Sequence, residues 1–251
     1  MTPFCSTVSH PKSRAYHLTM TVLAVSDISP EVRAAAEQFG LGAFEQAFKT
    51  DTIKRFTVVE VGRTYGFGHG LVQHDIRDGR APLVFRYDQV MTTYQGRTAG
   101  FVNSKYDSTR FHYRFIRSDG VELEMKGMYN DRSEVITTLA GRLNTHQAEQ
   151  YADLGFLAGQ RIALIQLPAA ITALEQGQAL SFGKVSISRA GVHAKKGIVP
   201  WGELRELRIS GGYAKIKKEG KFLALSNEPV ARIPNFPLFR VLATFMSSGQ
   251  R

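Results

Sequence analysis

Cysteine is almost missing from this chain: among 251 residues only Cys5 is found, so no internal disulfide can form and no cysteine-based zinc site can be assembled. Tryptophan is as scarce, with Trp201 alone. Acidic residues are outnumbered, 22 Asp and Glu against 32 Lys and Arg, which leaves a net charge of +10. No apolar run approaches the ~18 to 20 residues that span a bilayer, and residues 22–25 are too short for a signal-peptide core. These absences lead to the expectation of a cytoplasmic protein without a transmembrane segment.

Catalytic signatures are missing as well. No Gly-x-Ser-x-Gly elbow, His-Glu-x-x-His or Cys-x-x-Cys pattern occurs. His69 and His74 with Asp75 form the closest histidine cluster, but residues five apart on a strand point to opposite faces. Gly66-Phe67-Gly68-His69-Gly70 mimics a phosphate loop, yet strand-like residues follow it where a helix is required. Gly177 to Gly183-Lys184 is one residue too long for a P-loop and lacks its Ser or Thr. Glu122 and Glu124 share a strand face, and with Arg114 nearby they read as solvated surface. The chain is therefore expected to be no enzyme and to need no cofactor or metal.

What is present suits a folded protein. Apolar residues make up 43% and charged residues 22%, ordinary values for a globular chain. Residues 1–26 are poor in core material and read as a disordered tail, with Met20 as an alternative start. Ser29 and Pro30 then mark a helix start, with Ala34 to Phe39 and then Phe44, Ala47 and Phe48 behind it, broken at Gly40 and Gly42. From Thr52 to Tyr94 β-branched residues dominate. Phe111, Tyr113 and Phe115, the Ser118-Asp119-Gly120 turn, and Val121, Leu123 and Met125 predict a hairpin. Val135, Ile136, Leu139, Ala140 and Leu143 repeat at helical spacing. A helical connector interrupted at Pro168 follows, then four short strands in meander order, and finally a helix after Asn235 carrying Leu238, Val241, Leu242 and Phe245.

The signals recur in order. Phe67-Gly68 and Gly70-Leu71-Val72 match Phe182-Gly183 and Gly191-Val192. Phe85-Arg86-Tyr87-Asp88-Gln89-Val90 matches Val199-Pro200-Trp201-Gly202-Glu203-Leu204, and the Asp119-Gly120 turn matches Glu219-Gly220. With Trp201, Glu203, Leu204 and Asn235 as its marks, and Tyr87 standing in the first repeat where a tryptophan would be typical, the pattern resembles an uncharacterised family, a domain of unknown function, of paired PH-like proteins, best matched over residues 177–246. The resemblance implies an α+β, β-rich fold of two PH-like β-barrel repeats, each closed by a C-terminal helix. The boundaries read as a tail at 1–26, a helical lead-in at 27–51, repeat 1 at 52–148, a connector at 149–177 and repeat 2 at 178–251. Trp201, Val192, Leu204, Ile209, Leu242 and Phe245 are expected in the second core, and Tyr87, Val90, Phe115, Leu123, Leu139 and Leu143 in the first.

Charge is uneven. After residue 150 there are 14 Lys and Arg against 6 Asp and Glu. In a four-strand meander the first and third turns lie at one end, which would gather Lys195, Lys196, Lys217, Lys218 and Lys221 into an anion-binding surface. The expected function is a non-catalytic adaptor touching an anionic lipid surface or acidic protein through these turns, peripherally at the inner membrane surface. Nucleic acid is the next candidate, because Tyr213 and Phe222 flank the lysines. A purely protein-protein scaffold needs no motif at all.

Overall fold

The computed structural model describes residues 18–24, 27–54, 57–75, 79–129, 145–195, 197–220 and 226–248. Its fold is α+β and strand-rich, with four antiparallel sheets and three helices among the described residues. The first sheet has five strands in chain order: β1 (Leu18–Leu23), β2 (Phe44–Lys54), β3 (Thr57–Phe67), β4 (Gly70–His74) and β5 (Leu83–Arg86). Helix α1 (Pro30–Gln38) starts as expected: Ser29 is extended, and its Oγ accepts from Val32 N at 3.4 Å with Pro30 at the first helical position. It ends before Gly40 and Gly42, both at positive φ (60° and 78°), a backbone state that glycine reaches without a Cβ clash.

Two expectations fail here. Residues 18–23 pair with β2 instead of belonging to a tail, and Phe44, Ala47 and Phe48 lie on a strand instead of a helix. Their near-helical spacing misled because both faces of this sheet are covered. On β2, Ala47 points to the core under α1 while Phe48 points to the opposite core; Val72 and Leu71 divide likewise on β4, and Val84 and Phe85 on β5. A strand buried on two faces loses the simple alternation that identifies it.

A three-residue 3-10 turn at Tyr87–Gln89 leads into a second sheet of β6 (Val90–Val102), β7 (Lys105–Arg117) and β8 (Glu122–Tyr129). Phe111, Tyr113, Phe115, Leu123 and Met125 face the core, as the hairpin pattern predicts. The expected helix with Val135, Ile136, Leu139, Ala140 and Leu143 lies outside the described residues. What closes this core is α2 (Thr145–Glu175), a continuous 31-residue helix that runs through Pro168. Pro168 does not end the helix: it removes one backbone donor, but the helix continues on both sides of it, and Thr172 Oγ1 donates to the Pro168 carbonyl at 3.1 Å. By length and composition Gln147–Glu175 could cross a membrane, contrary to the expectation from runs alone; a core helix meets the same criterion.

The second half repeats the order from β2 onward. A four-stranded sheet comprises β9 (Leu180–Phe182), β10 (Val185–Ser188), β11 (Gly191–Ala194) and β12 (Gly197–Pro200). A 3-10 turn at Trp201–Glu203 follows, then a three-stranded sheet of β13 (Leu204–Ser210), β14 (Tyr213–Lys218) and β15 (Ser226–Pro229), and then helix α3 (Phe236–Ser248). Seven strands replace the four expected. Val192, Trp201 and Leu242 are buried and Leu204 is half-buried against them, but Ile209 and Phe245 are exposed at 46% and 56%. Ile209 sits beside the Ser210 to Tyr213 hairpin end, and Phe245 lies about 120° around α3 from the stripe of Phe239, Leu242, Ala243 and Met246.

Helix α2 belongs to both cores. Ala148, Tyr151, Ala152, Leu154, Ala158 and Ile162 pack in the first, and Ala163, Ala170 and Leu174 in the second. Small residues let it approach the sheets: a Cβ on Gly155 would stand 2.5 Å from Tyr113 Cδ2, while one on Gly159 would meet nothing closer than Gln95 Oε1 at 3.5 Å. Alanine is favoured over glycine in a helix by about 1 kcal/mol, whereas overpacking a rigid core costs about 1–3 kcal/mol. Gly155→Ala should therefore lower the thermal midpoint, and Gly159→Ala should leave it unchanged or raise it. Equal shifts in the two variants, followed by circular dichroism, would contradict this packing.

Candidate functional site

Tyr87 and Trp201, paired in the sequence, occupy equivalent places. Each opens a 3-10 turn that follows four consecutive strands (β2–β5 or β9–β12) and precedes a three-stranded sheet, and each is buried. The glycine facing that turn is equivalent too. Gly70 pairs with Arg86 and Gly191 with Pro200, and an added Cβ would strike the Phe85 carbonyl oxygen at 2.5 Å or that of Val199 at 2.1 Å. Phe67-Gly68 does not match Phe182-Gly183, however. Phe67 pairs with Gly70 across the β3–β4 turn, and the residue in that place in the second half is Ser188, opposite Gly191. The glycine-rich run is thus a hairpin turn, held by Gly68 N to Ala43 O and His69 N to Leu41 O.

The surrounding bonds have structural roles. Trp201 Nε1 donates to Ser188 O at 3.0 Å. Burial pushes the Tyr87 hydroxyl up to about 12, so it stays protonated at neutral pH. Arg161 of α2 lies 6.0 Å above the Tyr87 ring and grips the Glu45 carboxylate with both terminal nitrogens, at 2.7 and 2.8 Å.

Asn235 does more than precede a helix. Its φ is +50°, so it does not have the extended backbone of an N-cap. Its Oδ1 accepts from Thr93 N at 2.7 Å, its Nδ2 donates to Met91 O at 2.9 Å, and its own N donates to Thr93 O at 2.8 Å. Gln166 Nε2 of α2 donates to Val90 O at 2.9 Å. The bulge of β6 between Val90 and Thr92 is thereby bound from the second half and from the shared helix.

Of the five candidate lysines, the three that lie among the described residues are carried by two different sheets. Lys196 and Lys221 lie outside the described residues. Lys195 is exposed just beyond β11, at the end of the β11–β12 hairpin away from the Gly191–Pro200 pair. Lys217 and Lys218 end β14 in a different sheet, where Glu219 N donates to Glu203 O at 2.8 Å beside the Trp201–Glu203 turn. Lys217 pairs with Glu206 at 3.3 Å and Lys218 with the Glu203 carboxylate. The single meander that would have aligned these turns is in fact two sheets.

Other polar groups among the described residues are tied into ion pairs and turns. Arg114 holds Glu122 at 2.5 and 2.7 Å, and that bond keeps the Glu122 carboxyl below its ordinary range. Burial acts to raise Glu124, but hydrogen bonds from Lys126 and His112 outweigh it and leave its carboxyl lowered. Both are the wrong way for a general acid. Ser188 Oγ and His193 share a 2.7 Å bond, and Ser188 Oγ also accepts from Ala190 N at 3.2 Å, closing the hairpin turn. Among the described residues no group of three His, Cys, Asp or Glu is placed to hold a metal ion. A cavity of about 450 Å³ lies between α1 and the edges of β2 and β3, lined by Ile28, Ala36, Phe44 and Phe67 with Arg33 and Glu37.

One family model, described as a family of unknown function (DUF6585), matches residues 62–251, which takes in both halves and not only the second. Neither the curated proteins nor the solved structures provide a match. The Asn235 contact yields a direct check. Asn235→Ala removes two bonds to β6, one of them to the backbone of the buried Thr93, and forces alanine into a positive φ, so a loss of about 2 kcal/mol is expected in denaturant unfolding. Asn235→Gly, which keeps the backbone relaxed, should lose less. A loss within error of zero for both would show that the contact does not join the halves.

Proposed function

The chain belongs to a family of unknown function, and we propose that it is a non-catalytic binding and adaptor protein made of two PH-like repeats, the second of which engages an anionic surface. One observation carries the reading: the basic half of the chain folds as four strands, a 3-10 turn, three strands and a terminal helix, the order of a PH-like unit. From β2 onward the first half follows the same order and is closed by the start of α2, with β1 and α1 as additions before it. Each half then resembles a strand meander stopped at one end by a helix, a plan that serves binding more readily than chemistry. Fold alone does not assign an activity, so the charge of the second half supplies the direction.

The 14 cations and 6 anions after residue 150 create an attraction that acts over about 8–10 Å at physiological salt. An acidic membrane surface answers it with many weak contacts. The purified protein should sediment with vesicles of phosphatidylcholine and phosphatidylserine but not with phosphatidylcholine alone, and the bound fraction should fall as salt rises. Sedimentation that ignores vesicle charge would overturn this reading, and capture by a single-stranded oligonucleotide in preference to acidic vesicles would replace it with a nucleic-acid function.

A further inference from the structure

We infer that the outer face of the β13–β14–β15 sheet is a site for a phosphate monoester group, carried on a lipid headgroup or on a soluble molecule. This rests on the reading of the second half as directed to anions, and it moves the contact from the hairpin tips to a sheet face.

Alternation along β14 sends Ala214 and Ile216 into the core, with Leu207 of β13 packed beside them. The opposite face must then carry Glu206 and Arg208 from β13 with Tyr213, Lys215 and Lys217 from β14. The register completes the arrangement. Glu206 stands opposite Lys217, Arg208 stands opposite Lys215, and Lys215 stands opposite Asn227 of β15. Facing residues on one side of a sheet hold their Cβ atoms about 4.5–5.5 Å apart and diagonal ones about 7–8 Å. Three cations from two strands are therefore within reach of a single phosphate.

Their charge is not balanced. Glu206 is the one carboxylate in this set, and it is shared between Arg208 at 3.1 Å and Lys217 at 3.3 Å. Lys215 has no acidic partner among the described residues, and it directly faces Arg208. Like charges in such a position destabilise a sheet, and an anion between them would reverse the sign. Three cations less one carboxylate leave two positive charges, which match a monoester of about −1.5 to −2 better than the single charge of a phosphodiester. The Arg208 side chain is 55% exposed, so the face is open. Its guanidinium can bind two phosphate oxygens at once, while Asn227 offers amide donors and Tyr213, on the next rung, a hydroxyl.

The test compares wild type, Arg208→Gln with Lys215→Gln, and Lys195→Gln in the full chain. The probes are a soluble inositol trisphosphate, phosphatidylcholine vesicles doped with a phosphatidylinositol bisphosphate, and a single-stranded oligonucleotide. Calorimetry should show trisphosphate binding to wild type, an affinity lower by about tenfold or more for each cation removed, and no change in Lys195→Gln. In phosphate-free buffer the double variant should melt at or above the wild-type midpoint, since a like-charge pair has gone, and that also shows it is folded. Vesicle binding displaced by the trisphosphate assigns a lipid source; trisphosphate binding without vesicle binding assigns a soluble one and ends the membrane reading while this site stands. Vesicle binding that survives in the double variant but fails in Lys195→Gln overturns the site and leaves the anion-directed reading intact. Absence of trisphosphate binding, equal binding in wild type and double variant, or oligonucleotide binding that needs Arg208 and Lys215 but resists the trisphosphate would each overturn the inference.

Discussion

A single helix shared between two cores sets most of this structure. Ile162 packs in the first core and its neighbour Ala163 in the second, so the change of partner occurs within one residue of a continuous α2. A helix of this length extends about 46 Å, and it is one continuous element from the first core to the second. Neither core can be displaced from the other without exposing part of α2. The polar contacts gather near the same place: Arg161 to Glu45, Gln166 to Val90, and Asn235 to Met91 and Thr93. Two repeats joined by a flexible linker would move freely by default. These two are joined by an element that each requires for its own burial.

The sequence made the repeat visible where side-chain chemistry is forced by backbone geometry. Gly70 and Gly191 have no room for a Cβ beside the facing carbonyl, and Tyr87 and Trp201 fill the corner where one sheet passes to the next. These constraints are local, and so they could be read in order along the chain. The strands themselves were harder. Leu180–Phe182 and Gly197–Pro200 are three and four residues long, too short to establish a period, and Phe44 to Phe48 lost its alternation to burial on both faces. The role of α2 as a closing helix was hidden for another reason. Its stripe of small residues, Ala148, Ala152, Gly155 and Ala158, has little hydrophobic weight and serves by allowing close approach.

The binding surface shows a different limit. Counting charge correctly found the basic half, but grouping lysines by turns required a topology of one sheet, and the second half forms two. Neighbours in sequence are also separated by the strand itself. Lys217 and Lys218 point to opposite faces and answer different carboxylates, Glu206 and Glu203. A basic run on a strand is thus halved before it can act as a patch, and only cross-strand register reassembles it. Arg208 and Lys215 are seven residues apart and unremarked in the sequence, yet register sets them face to face. Charge excess is a property of composition, whereas charge density at a point belongs to pairing, and the second determines which anion a sheet can hold.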